Sequence, residues 1–211
     1  YNKLMKYIDL KMTINRPFFT SDDIRLRDLN VYKYQLNSWQ KKGYIIQAKR
    51  GVYVFSEYKD KISGFELAKL IYNPSYISLE SALSQYGLIP EYVPSTTSVS
   101  TRTSRQFTND FGTFYFRHIK PNLFWGYRII ETRVGKYLLA EPEKALLDYL
   151  HLNIRKIKTE TDIEAIRINY EEFNKIVDKT KFILYSRAYA NKKLLKLAKS
   201  IIKLAKQNAD T

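Results

Sequence analysis

The stretch WQKKGYIIQAKRGVYVF, residues 39–55, compresses the end of a basic, aromatic helix, a glycine, two β-like runs and a basic turn into very little chain. Gly43 suits the left-handed position that closes a helix. YIIQA and GVYVF are rich in β-branched and aromatic residues, so they read as two strands of a hairpin with Lys49, Arg50 and Gly51 at its tip. Two explanations fit this corner. It is either part of a small α/β subdomain used for protein contacts, or the third helix and wing of a DNA reader.

Toward the N-terminus, NKLMKYIDLKM places Leu4, Tyr7, Ile8 and Met12 on one helical face and predicts a first helix. PFFTSDDIRLRDLN follows; Thr20 or Ser21 can cap a short helix through Leu26, with Asp22 and Asp23 at the positive end of its dipole. VYKYQLNSWQKKG puts Tyr32, Leu36 and Trp39 on one side and Lys33, Tyr34, Asn37 and Lys41 on the other. Helix, helix, helix, hairpin is the order of a winged helix-turn-helix, whose third helix enters the major groove while the hairpin tip reaches neighbouring backbone. The expectation is therefore a DNA-binding domain over residues 1–60, with Lys49 and Arg50 as the wing contact.

From Gly64 the character changes. GFELAKLIY reads as a helix, and YISLESALSQYGLIP as a second one capped by Ser78 and stopped at Gly87. TTSVSTR, FGTFYFRHI, LFWGYRII and KYLLA are strand-like, the second alternating Phe114 and Phe116 against Tyr115 and Arg117, which predicts a mainly antiparallel sheet. EPEKALLDYLHL starts a helix with Pro142 just inside and presents Ala145, Leu146, Tyr149 and Leu150 as a buried face. Helices over roughly 161–168, 170–178 and 186–207 complete the expected domain, residues 61–211. The last carries Leu194, Leu197, Ala198, Ile201, Leu204 and Ala205 along one side and lysines around the rest. Core packing, contact with a nucleic acid or acidic partner, and membrane-surface binding are all chemically open to such a helix.

The chain has 211 residues and a net charge of +15, distributed as +6 over residues 1–60, +2 over 61–150 and +7 over 151–211. Charge gathered at the two ends fits a polyanion, because basic groups that displace counterions from phosphates supply most nonspecific affinity. No cysteine occurs, which excludes disulfides and thiolate metal sites. The two histidines, His118 and His151, lie far apart without ligand-spaced partners, so no metal and no cofactor is expected. There is no apolar run of about 18 residues and no secretory pattern in the first residues, although the sequence opens on Tyr1 rather than Met. Cytoplasm is the expected compartment, with no membrane partner.

Catalytic signatures are missing: no glycine-rich phosphate loop, GxSxG elbow, HExxH or thiol nucleophile. The remaining candidates are Glu141, Glu143, Lys144 and Asp148 on one helix and Arg102, Arg105, Arg117 and His118 around a hairpin. Glu143 and Lys144 fit dipole matching and surface pairing better than acid/base work, and His118 has no carboxylate to orient it. No catalytic residue and no enzymatic activity is expected.

Several stretches together, KKGYIIQAKRGVYVF, YISLESALSQYGLIPE, FGTFYFRHIKPNLFWGY and LAEPEKALLDYLHL, resemble the AbiEi antitoxins of bacterial abortive-infection, type IV toxin–antitoxin systems. The likeness runs over about residues 10–155. Its most specific parts are Ser81, Ala82 and Leu83 with Gly87, and the segment holding Pro142, Lys144, Ala145, Leu146 and Asp148; GVY at 51–53 also matches the family's wing. The resemblance implies an N-terminal domain that binds inverted repeats in its own promoter and represses its operon. It further implies a C-terminal domain that counters a nucleotidyltransferase-like toxin, as a functional partner without a required stable complex. By motif, the DNA-binding positions are Lys33, Tyr34, Asn37, Ser38 and Lys41 on the helix and Lys49 and Arg50 in the wing. The expectation is an α+β chain, monomeric in solution, acting as DNA-binding repressor and antitoxin. The alternatives are a stand-alone winged-helix regulator with a ligand-sensing or dimerisation domain, and a pure protein-interaction module.

Overall fold

Residues 4–208, described here from a computed structural model, form an α+β fold of ten α-helices and two sheets. The first part runs α1 (Tyr7–Ile14), β1 (Phe18–Thr20), α2 (Ser21–Leu26), α3 (Lys33–Lys41), β2 (Ile45–Lys49) and β3 (Val52–Phe55). On α1 the buried side chains are Leu10 and Ile14, whereas Ile8 and Met12 are 63% and 66% exposed and Leu4 is exposed too, which corrects the expected face. Tyr7 decides the rotation of the helix. Its ring meets those of Trp39 and Phe55, each at 5.9 Å, and Leu10 and Ile14 at i+3 and i+7 follow it inward.

Thr20 caps α2 reciprocally: its hydroxyl accepts from the Asp23 amide at 3.1 Å, and the Asp23 carboxylate accepts from the Thr20 amide at 2.7 Å. On α3, Leu36 and Trp39 are buried as expected, while Tyr32 stays exposed and stacks on Tyr34. Gly43, with φ of +72°, closes the helix. Strand β1, not anticipated from sequence, makes the small sheet three-stranded with order β1-β3-β2, both pairings antiparallel.

All four residues of β3 are buried, and alternate ones serve different cores. Tyr53 and Phe55 join Leu10, Phe19, Trp39 and Ile45 under the first helices; Val52 and Val54 join Ala48 in the core of the rest of the chain. The strand is a shared seam.

The second part contains α4 (Gly64–Ile71), β4 (Ser75–Ile77), α5 (Leu79–Gln85), β5 (Thr96–Ser100), β6 (Arg105–Asn109), β7 (Gly112–His118), β8 (Tyr127–Glu131) and β9 (Lys136–Ala140). Its helical end is α6 (Pro142–Leu152), α7 (Glu160–Glu164), α8 (Tyr170–Ile176), α9 (Lys179–Ala188) and α10 (Lys192–Gln207). The six strands lie in the order β6-β7-β5-β4-β9-β8. Hairpins β6/β7 and β8/β9 and the β4/β5 pair are antiparallel, and β5/β7 and β4/β9 are parallel, so the sheet is mixed, with three of its five pairings antiparallel. The parallel pairs arise because β6 and β8 take the two edges of the sheet, outside β7 and β9, so that β7 returns beside β5 and β9 beside β4. Phe114 and Phe116 point inward and Tyr115 and Arg117 outward, as their alternation predicts.

Helix α6 is where the interior is polar. Lys144 and Asp148, one turn apart and both 0% exposed, form an ion pair. Surface pairing was the expectation for Lys144; burial is the finding. The ammonium also donates to the hydroxyls of Tyr76, at 2.9 Å, and Tyr189, at 2.8 Å. Asp148 accepts from Tyr76 at 2.8 Å, Ser78 at 2.9 Å and Tyr189 at 2.7 Å. Ser78 therefore spends its hydroxyl on Asp148 and does not cap α5 with it. The Trp125 ring lies 5.0 Å from the ammonium. Gly126, at φ of +73°, lets the backbone pass where a Cβ would come within 3.1 Å of the Lys144 side chain. Glu143 is buried as well, and accepts from the Asp178 amide that opens α9.

Burial holds the Lys144 ammonium below the usual lysine range, with Asp148 opposing. It raises the Tyr76 and Tyr189 phenols well above theirs, and Asp148 adds to that. Two outcomes are expected. Asp148→Asn strands a buried cation and should cost about 3–5 kcal/mol in denaturant unfolding, whereas replacing Asp148 and Lys144 together by apolar residues should cost less than the two single losses combined. Above about pH 10 the unfolded chain releases tyrosine protons that native Tyr76 and Tyr189 keep, so stability present below that pH is lost as pH rises. Lys144 works in the opposite sense, but Tyr86, Tyr137, Tyr149 and Tyr170 are also raised by burial. Unfolding midpoints should therefore fall between about pH 9 and about pH 11; an unchanged midpoint would contradict the balance.

Candidate nucleic-acid interface

A cleft of about 930 Å³ opens between the outer face of α3, the start of α2 and the β2–β3 hairpin, and Lys33, Asn37, Gln40, Gln47, Arg50 and Tyr53 are among its lining residues. Each wall has a local cause. Leu36 and Trp39 hold α3 on the first core, which leaves Lys33, Tyr34, Asn37 and Lys41 exposed on the opposite side. At the hairpin tip Gly51 takes φ of +79°, and its carbonyl accepts from the Ser21 amide at 2.9 Å, pinning the tip against α2. Arg50 projects beside it, exposed. The turn before α3 is fixed by Gln35, which accepts from the Tyr32 amide at 3.0 Å and donates to the Met5 carbonyl at 2.8 Å.

Of the seven positions read from sequence, Lys33, Asn37 and Arg50 line the cleft together. Tyr34 and Lys41 are exposed on the same helix outside it, and Ser38 is half-buried on the flank of α3. Lys49 goes elsewhere. The register of β2 on β3 slips between Gln47 and Lys49, so Gln47 faces Tyr53 while Lys49 faces Val52, on the side of the larger core. Its ammonium donates to the Ile71 carbonyl at 2.9 Å and lies 5.2 Å from the Phe107 ring. Burial, then Arg102 and Arg105, lower its pKa. As a wing contact Lys49 is thus corrected: it ties the hairpin to the end of α4.

Gln40 and Gln47 are cleft residues that sequence reasoning did not single out. With Asn37 they give three amides, each holding donors and an acceptor that no neighbouring side chain uses among the described residues, next to two cationic side chains. Gln40 was legible from helical spacing, three residues beyond Asn37. Gln47 lies on the same face of β2 as Ile45, in the regular part of the pairing ahead of the bulge.

Several of the other candidates make contacts within the fold. Glu141 accepts from Tyr185 at 2.8 Å and pairs with Lys181 at 3.1 Å. The His118 ring meets the Arg102 backbone carbonyl at 3.1 Å, and Arg102 lies over the Tyr72 ring at 4.4 Å. A second cleft, of about 850 Å³, lies between the start of α4 and the β8–β9 turn, with Lys61, Glu66, Arg133 and Tyr137 among its lining residues. Among the described residues no group of histidine and acidic side chains could hold a metal ion, and no helix is long and apolar enough to cross a membrane.

Lys49→Ala should lower stability by about 1–2 kcal/mol in denaturant unfolding through loss of its carbonyl bond and ring contact. Arg50→Ala should stay within about 0.5 kcal/mol of the parent. Equal losses for the two would put Lys49 back on the surface. No protein-family model matches the chain, and no curated protein is significantly similar to it.

Proposed function

We propose that the chain is a DNA-binding transcriptional repressor of the cytoplasm, with residues 1–60 as a winged helix-turn-helix. The observation that carries this reading is the cleft in which one helix face and one hairpin tip bring together Lys33, Asn37, Gln40, Gln47 and Arg50. Cations beside amides are what duplex DNA recognition asks for. Lysine and arginine neutralise phosphates, and a carboxamide can donate to and accept from one base edge, most favourably adenine in the major groove. The element order α1-β1-α2-α3-β2-β3, with β3 central in the small sheet, supports this reading. The sequence resemblance to AbiEi antitoxins adds autoregulation through inverted repeats and opposition to a nucleotidyltransferase-like toxin, and assigns the latter to residues 61–211. No chemical step is proposed for the chain.

A second reading, a regulator whose larger part senses a small molecule, is favoured by the cleft beside α4. The two separate on one comparison: rescue of cells from a toxin encoded next to the gene belongs to the first, and a small molecule that changes DNA affinity belongs to the second.

The test is binding to the DNA upstream of the gene against random duplex, over a range of salt. Arg50→Ala should reduce the slope of log affinity against log salt by about 0.9, one phosphate's share. Asn37→Ala and Gln47→Ala should each narrow the preference for upstream DNA by about 1–3 kcal/mol while leaving that slope in place. If the parent protein shows no preference for the upstream DNA, the repressor reading fails.

A further inference from the structure

We infer that α10 is a second polyanion-binding surface, one that takes the phosphate backbone of duplex DNA without reading its sequence. Lys192, Lys196, Lys199, Lys203 and Lys206 recur at i, i+4, i+7, i+11 and i+14, so they form one straight ridge along the helix, all exposed. The ridge is roughly 21 Å long at about 1.5 Å per residue. None of these five ammonium groups enters a hydrogen bond or ion pair with another described residue. No acidic residue stands anywhere in Lys192–Gln207 to moderate them. Lys192 and Lys193 even occupy the first turn, where the helix dipole disfavours cations. Lys193 is drawn aside to the Ile154 carbonyl at 2.6 Å.

The opposite face identifies the kind of partner. Leu194, Leu197, Ala198, Ile201 and Ala205 are buried against the helices beneath, so this amphipathic helix has no apolar side left to enter a lipid headgroup layer. Protein interfaces are depleted in lysine and anchored by aromatic residues and arginine, and α10 has neither. What is left is a row of compact point charges, suited to a partner that is itself a regular row of negative charge. The inference does not depend on the cleft at α3, which lies on other elements and has its own readout.

The experiment uses the full chain and a random-sequence duplex. The triple variant Lys196→Gln, Lys199→Gln, Lys203→Gln should lower the salt slope by about one to three units, at roughly 0.9 for each phosphate no longer neutralised. A charge-matched control, Lys59→Gln, Lys136→Gln, Lys158→Gln, at exposed positions off the ridge, should change it less. The preference of the ridge variant for upstream over random DNA should equal the parent's. Equal slopes for ridge and control variants would overturn the inference, as would parent protein that binds polyglutamate more tightly than duplex at matched charge, which would mark an acidic protein partner. Salt-dependent binding to random duplex without preference for upstream DNA would remove the repressor reading and leave the ridge standing; no binding to any duplex would remove both.

Discussion

An ammonium and a carboxylate shut away from water, Lys144 and Asp148 on successive turns of α6, constrain everything packed around them. Isolated, either charge would cost several kcal/mol to bury, so each must be met on every side. Tyr76 comes from β4, Ser78 from the entry to α5 and Tyr189 from the end of α9, and their hydroxyls complete the two charged groups. Gly126 clears the backbone that passes alongside. Three separate stretches of chain are thereby fixed against α6, two of them by groups whose hydrogen bonds have direction. An apolar centre of equal volume would tolerate sliding; this one specifies where the sheet and the helical end meet.

That specification reaches the N-terminal part through the small sheet. Strand β3 gives Val52 and Val54 to the same large core and Tyr53 and Phe55 to the first one. Lys49 adds a bond to the last carbonyl of α4, and Asn109 donates to the Ala48 carbonyl at 2.7 Å from the far hairpin. The hairpin therefore has a fixed inner side, and Gln47 and Arg50 are left facing the cleft. Alanine at Lys49 would loosen that anchorage, whereas alanine at Arg50 would touch only the tip.

Much of this was legible. Phe114 and Phe116 announce their strand by alternation, Thr20 and Asp23 announce α2 by their spacing, and the leucine and alanine stripe of α10 announces its buried face. What escaped has identifiable causes. Strands β1 and β4 are three residues each, too short for any period to show. The parallel pairings depend on which strands the chain steps over, a property of the path and not of local sequence. At Lys144 and Asp148 the i, i+4 spacing is the signature of an exposed helical pair, and only the surrounding tyrosines, remote in sequence, reveal burial. Lys49 was misplaced because one bulge reverses the side-chain alternation of a strand. The face of α1 was misjudged because Tyr7 packs inward with Leu10 and Ile14, leaving Ile8 and Met12 in solvent.

The candidate interface was read in part for the same reason. Residues on a helix face follow from period alone, so Lys33 and Asn37 share one wall of the cleft; residues on a hairpin need the register, and there Lys49 turns away. The bulge turns Lys49 off the face on which Gln47, ahead of it, stays with Asn37 and Gln40, so the wall ends in an amide and lacks that cation. A cleft with fewer charges and more amides gives up nonspecific attraction in exchange for the capacity to discriminate between bases. On the proposed reading, nonspecific attraction is supplied elsewhere on the molecule, by the uncompensated lysine ridge of α10, seated on a helical end held in place through α6.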